Sequence, residues 1–186
     1  MDYSSQRVIF IALLTIMMST ISPSLGRKEK SEVEKDLRDL CSHTDKSNEC
    51  WRIIEPKLSE FSSTDPKIVA DVVLDLAKEK GVEIYQELTL LYEYDTDDKT
   101  KKNYLSCSDN YKDAVVNLIL ARENLESDDC RNIPAQIDDT IKDLEVCELE
   151  FDKDSFGPTQ IGNMMKEFRV YVDIVKVATD RLLNQN

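Results

Sequence analysis

Histidine is almost missing from this chain, with His43 the only one in 186 residues. No catalytic relay built on histidine can extend beyond that residue, and it sits in the short polar stretch LCSHTDKSNECW (40–51), where nothing apolar would tune an imidazole. Glycine is scarce as well: there are 4, and neither a G-x-S-x-G elbow nor a glycine-rich phosphate loop occurs. No C-x-x-C pair is present, and Cys41 with His43 lacks the second ligand pair that tetrahedral zinc requires. Few alternating β-branched runs are found, which argues against an all-β sandwich. There is no internal repeat, no low-complexity tract and no N-glycosylation sequon.

The acids are plentiful but badly placed for chemistry. DTDDKT from Asp95 has Thr100 where a calcium loop needs glycine. DKDSFG from Asp152 has Gly157 but puts Phe156 at a ligand position and Asn163 where a bidentate glutamate belongs. The pairs Asp128-Asp129 and Asp138-Asp139 point about 100° apart on a helix and cannot converge on one bond. No residue is assigned as catalytic, cofactor-binding or metal-ligating, and no cofactor is expected. The chain reads as a binder, not an enzyme.

What the sequence does contain begins at the N-terminus. Arg7, an apolar run from Val8 to Met18, and small residues ending Ser24-Leu25-Gly26 form a secretory signal peptide over 1–26, with cleavage expected before Arg27. No later run reaches the roughly 18 apolar residues of a membrane helix, and RLLNQN lacks the tail of a lipid anchor. The expected product is extracellular, without a membrane partner. Asp2 and Arg7 cancel, so the mature chain keeps the net charge of -13, which disfavours nucleic acid and acidic polysaccharide and favours a basic protein surface.

Residues 27–186 are read as one domain. Ile161, Met164, Met165, Phe168, Tyr171, Val172, Val175, Ala178 and Leu182 recur at helical steps. Asp65-Pro66 starts another helix, with Ile68, Val72, Val73 and Leu76 on one face; the pattern resumes after Gly81 with Ile84, Leu88 and Leu91. A third carries Tyr111, Ala114, Val115, Leu118, Ile119 and Leu125. A fourth, after a break at Pro134, carries Ile137, Ile141, Leu144, Cys147 and Phe151. These four define an all-α antiparallel bundle over 62–186. Before it, at 27–61, Val33, Leu37 and Leu40 mark one short helix and Trp51, Ile54 and Leu58 another, an N-terminal helical hairpin set off by Pro56 and SSTDP.

In an oxidising compartment, Cys41 and Cys50, flanking the hairpin turn, pair by default, a link worth about 3 kcal/mol. Cys107, at the start of the third helix, and Cys147, near the end of the fourth, lie side by side in an antiparallel pair. Their bond would close a loop of about 40 residues, worth about 4 kcal/mol. Cys130, at the opposite end of that pair, is left as the free thiol, a small half-buried residue or an intermolecular crosslink.

This cysteine map and helical pattern resemble the plant invertase and pectin methylesterase inhibitors. The resemblance runs from Val33 to Leu183 and rests on Cys41 and Cys50, on CSDNYKDAVVNLILARENL from Cys107, and on AQIDDTIKDLEVCELEF from Ala135 to Phe151. It implies bonds Cys41 to Cys50 and Cys107 to Cys147, with Cys130 outside the pattern. It also implies a small protein of the apoplast and cell wall that binds one enzyme molecule and covers its active-site cleft. The enzyme would be a pectin methylesterase or an acid invertase. Some invertase inhibitors carry Pro-Lys-Phe between the cysteine-linked helices; here that stretch reads DDCRNIPAQ, from Asp128, so pectin methylesterase is favoured. Other binders of this shape, an apolar-ligand carrier or a cytokine-like signal, would need a roomy cavity or a membrane receptor. The partner-binding residues are not legible: an exposed polar helix face looks the same whether or not it meets an enzyme.

Overall fold

The computed structural model describes residues 23–154 and 159–184. The signal-peptide reading, apart from Pro23 to Gly26, and the DKDSFG stretch from Ser155 to Gly157, with the side chains of Asp152 and Asp154, lie outside what is described. Among the described residues six helices follow in order: α1 (Pro23–Ser42), α2 (Ser47–Ile54), α3 (Pro66–Tyr94), α4 (Asp98–Glu126), α5 (Ile133–Asp154) and α6 (Thr159–Leu183), with 3-10 turns at Glu55–Glu60 and Cys130–Asn132. No strand occurs among the described residues.

Local chemistry fixes the boundaries. Asp65 caps α3 by accepting the Lys67 N–H at 2.8 Å, and Pro66 occupies the first position, where a missing N–H is harmless. Asp97 caps α4 through the Thr100 N–H, also at 2.8 Å. That cap lies well before Cys107, so Cys107 stands in the third turn of α4 and not at its start. Pro134 belongs to the first turn of α5 instead of breaking the chain before it. Asp128, at φ 59°, turns the backbone left-handed and ends the α4 trajectory. In the hairpin, α1 is a long helix of 20 residues, and Leu58 lies on the 3-10 turn that follows α2.

Helices α3 to α6 form a ring in which α4 packs between α3 and α5, and α6 closes the circuit against both α3 and α5. The hairpin lies against α6. One continuous core joins the two parts: Val33, Leu37, Leu40 and Ile54 of the hairpin are buried with Leu74, Ile84, Leu118, Ile137, Phe168 and Val175 of the bundle. Two expected core residues face out. Ile68 is 37% exposed and Ile119 39% exposed, because Val69 and Leu118 next to them take the inward positions and one residue is about 100° of helix. Conversely, Val170 and Ile174 are buried on α6 beside the expected stripe. A helix enclosed by three neighbours needs a wider apolar face than periodicity alone indicates.

Helix α3 runs through Gly81 without interruption. A Cβ there would stand 2.8 Å from Val115 Cγ2 and 3.1 Å from Phe168 Cζ, so the missing side chain lets α3, α4 and α6 converge. Tyr111 fills the adjoining space, its ring 5.4 Å from that of Phe168, and burial pushes its phenol far above the ordinary tyrosine value. Among the described residues the four buried polar ones are satisfied: Thr44, Thr140 and Thr179 donate to carbonyls of Cys41, Gln136 and Val175, and Ser108 meets the Thr89 hydroxyl at 3.1 Å.

Candidate functional site

One disulfide lies in the hairpin and the other in the bundle. Cys41 and Cys50 are joined across the hairpin turn, with Cα atoms 5.5 Å apart, and Arg38 stacks 3.7 Å above the Trp51 ring beside them. Cys107 and Cys147 join α4 to α5 with Cα atoms 4.8 Å apart. Cys130 is unpaired and half-buried in the 3-10 turn between those helices.

The residues weighed for chemistry are scattered and engaged elsewhere. His43 lies exposed at the end of the hairpin turn, Nδ1 2.8 Å from the Asp39 carbonyl and 3.2 Å from the Arg181 guanidinium. Asp95 and Asp97 shape the α3–α4 turn: Asp95 accepts the Asp97 N–H, and Asp97 takes two hydrogen bonds from Thr100 that hold its carboxyl below the usual range. Asp128 pairs with Lys67, and Asp129 with Arg131 at 2.9 Å, which lowers the Asp129 carboxyl. Asp138 is exposed and Asp139 pairs with Lys142 at 2.7 Å. Among the described residues no group of three or more His, Cys, Asp or Glu could hold a metal ion.

The outward side of α4 and α5 is of another kind. On α4, Leu105, Lys112, Val116, Ile119 and Glu123 recur at steps of three, four and seven and form one exposed stripe, with Leu120 beside it. On α5, Val146 and Leu149 are exposed, Leu149 by 57%. Exposed acids flank them: Asp109 and Asp113 on α4, and Asp138, Asp139 and Glu145 on α5. Six large apolar side chains on two adjacent helices, set among carboxylates, have the composition of a contact surface: an apolar centre within a charged rim. The Cys107–Cys147 disulfide joins the two helices that carry this face. The sequence reading missed this face, having placed Ile119 in the core and left Val116, Leu120, Val146 and Leu149 unremarked. Their periodicity carries a signal, a second apolar stripe offset from the first.

A disulfide-braced helical bundle with an apolar and acidic helix face is, as a class, a protein-binding module. More particularly, the chain belongs to the plant invertase/pectin methylesterase inhibitor family, whose model matches residues 35–180. It is 25% identical over 174 residues to a pectinesterase inhibitor of Actinidia deliciosa, spanning 94% of this chain and 93% of that one. Identity to pectinesterase inhibitor 2 of Arabidopsis thaliana is 21% over 161 residues, spanning 87% and 88%. The fold matches the crystal structure of a mutant form of a pectin methylesterase inhibitor from Arabidopsis, with a TM-score of 0.68 at 21% identity over 75% of this chain and 92% of that one. The family is one of enzyme inhibitors, which implies a protein partner. The stretch from Asp128 to Gln136 here runs from the left-handed Asp128 through the 3-10 turn Cys130–Asn132 into the first turn of α5, with Asp128 paired to Lys67 and Asp129 to Arg131.

Proposed function

We propose that the chain is a secreted inhibitor that binds a plant pectin methylesterase one to one and covers its active-site cleft, and that the outward face of α4 and α5 makes the contact. The observation that carries the reading is the family match over residues 35–180, joined to relatives that are named pectinesterase inhibitors. The apolar centre of the α4–α5 face supports it, since truncating such anchors is where binding energy concentrates. Carboxylates around that centre, in a chain of net charge -13, suit a basic enzyme. In the same reading residues 1–26 are removed on secretion, 27–61 are the hairpin, 62–186 the bundle, and the mature protein works in the cell wall.

The test is inhibition by the refolded, disulfide-intact mature chain of a basic pectin methylesterase and a cell-wall invertase, side by side between pH 5 and 7. Loss of esterase activity at near-stoichiometric inhibitor with invertase untouched is the expected result; inhibition of invertase alone, or of neither, would overturn the esterase reading. Val116→Glu and Leu120→Glu are expected to weaken inhibition by about a hundredfold with the helical spectrum unchanged, since each buries a charge in the apolar centre.

A further inference from the structure

Where the hairpin tip meets α6, the surface opens into a cleft of about 480 Å³ between the tip, α5 and α6, on a different side of α5 from the apolar face described above. Lys46, Lys166, Arg169 and Lys176 stand around it, a concentration of cations in a chain of net charge -13. Three carboxylates share the lining, and two of them are engaged. Glu148 receives Arg169 at 3.0 and 3.2 Å, and Asp173 accepts the Asp45 backbone N–H at 2.9 Å. Burial also pushes the Asp173 carboxyl up, towards its neutral form. Lys46 is 3.6 Å from Glu49. Lys166 and Lys176, both exposed, make no hydrogen bond or contact ion pair among the described residues. Ten positions apart on one helix, they are about 15 Å apart along its axis. Half-buried Ile141, with buried Val170 behind it, contributes an aliphatic floor, and among the described residues no aromatic ring lines the cleft.

We propose that this cleft docks an acidic protein segment in which an aliphatic side chain is flanked by carboxylates. Two ammonium groups without a contact partner among the described residues, one of them, Lys176, acting on Asp173 only through space, call for anionic groups on the ligand. The aliphatic floor between them calls for an apolar side chain. A sugar ring or nucleobase would find no aromatic face on which to stack. A uniformly charged polyanion would set its middle charges over the aliphatic floor and beside Asp45. The surrounding negative field works against any acidic ligand at long range, but it is screened beyond about 8 Å at physiological salt, leaving the local lysines to decide. The site does not depend on the inhibitor reading, and its test needs no enzyme.

The experiment follows backbone amide shifts of the mature, disulfide-intact protein by NMR during titration with the peptide acetyl-Glu-Asp-Leu-Asp-Glu-amide. Saturable shifts confined to the Lys166–Lys176 segment, Ile141 and the Asp45–Lys46 tip are expected, with a Kd near or below about 1 mM. The double variant Lys166→Glu, Lys176→Glu, both exposed and outside the core, should weaken binding by about tenfold or more, and replacing the peptide leucine by glycine should weaken it about fivefold. Four outcomes overturn the proposal: no saturable shift up to about 10 mM peptide; shifts elsewhere on the surface; undiminished binding by the double variant; or tighter binding of an unesterified hexagalacturonate, which would make the cleft a glycan site.

Discussion

Helix α4 is joined to α3 by charge and to α5 by a covalent bond. On the α3 side, Arg122 reaches Asp71 at 2.7 and 3.3 Å and Asp75 at 2.9 Å, beside the close approach at Gly81. The α5 side is held by the disulfide between Cys107 and Cys147. There the disulfide is accompanied by neutral donors: Ser106 to Glu150 at 3.0 Å, Asn117 to Asp143 at 3.2 Å and Asn124 to Gln136 at 3.1 Å. The other two seams of the ring follow the first pattern, with Lys80 to Glu167 at 3.1 Å between α3 and α6, and Arg169 to Glu148 at 3.0 Å between α6 and α5. The seam under the apolar and acidic face is therefore the one that carries a covalent link, which salt and pH leave in place. A covalent link keeps two helices in register without drawing on the charges of their outward face.

Breaking the covalent seam should have the largest effect. The pair Cys107→Ala, Cys147→Ala releases a loop of 40 residues, and the expected loss is about 4 kcal/mol, read as a fall in the midpoint of urea unfolding against the disulfide-intact chain. Removing Cys41 and Cys50, whose separation is only 9, should cost less, about 3 kcal/mol. If the two losses came out in the opposite order, the bundle bond would not be the principal brace.

Breaking the charged seam should cost less and respond differently to salt. Arg122 and its two carboxylate partners are each about one-third exposed, so Arg122→Met is expected to lose about 1 to 2 kcal/mol at low ionic strength. In about 1 M salt the Debye length falls to roughly 3 Å and the deficit should shrink, while that of the cysteine variant stays. Equal salt responses in the two variants would remove the distinction between the seams.

Most of the architecture could be read in the sequence because its cause is local. Apolar residues at helical spacing, Asp65-Pro66 at a helix start and cysteines at matched positions act over a few turns. What could not be read has causes that are distant. Arg122 meets carboxylates 51 and 47 residues away, and nothing near it in the chain marks it as a clamp. Val170 and Ile174 are buried from sides that only the assembled ring and hairpin supply. Ile119 shows a deeper ambiguity: an apolar residue one position off the core stripe signals nothing about whether it faces a neighbouring helix or a second protein. Periodicity marks a second apolar stripe without saying what covers it.

The smallest effect is expected at Asp143, and it bears most directly on why the two seams differ. This carboxyl on α5 is pushed up chiefly by burial, then by Asp113 and Asp139 nearby, against the opposing pull of the Asn117 amide and Lys142. A carboxyl raised in the folded state stabilises the fold fully below its unfolded value of about 3.9, and that stability is lost as pH rises through the folded value. Asp143→Asn, which keeps an acceptor for Asn117, should therefore match the parent near pH 3 and exceed it in stability near pH 7, by less than Arg122→Met loses. Coincident melting curves at both pH values would show that the carboxylate costs the fold nothing. If the variant is more stable at neutral pH yet a weaker inhibitor, the charge is retained for the partner at the fold's expense. In that case the disulfide offsets a repulsion that an acidic contact face cannot avoid. If inhibition is unchanged, the acids of this seam belong to solubility alone, and the contact must be carried by the apolar stripe.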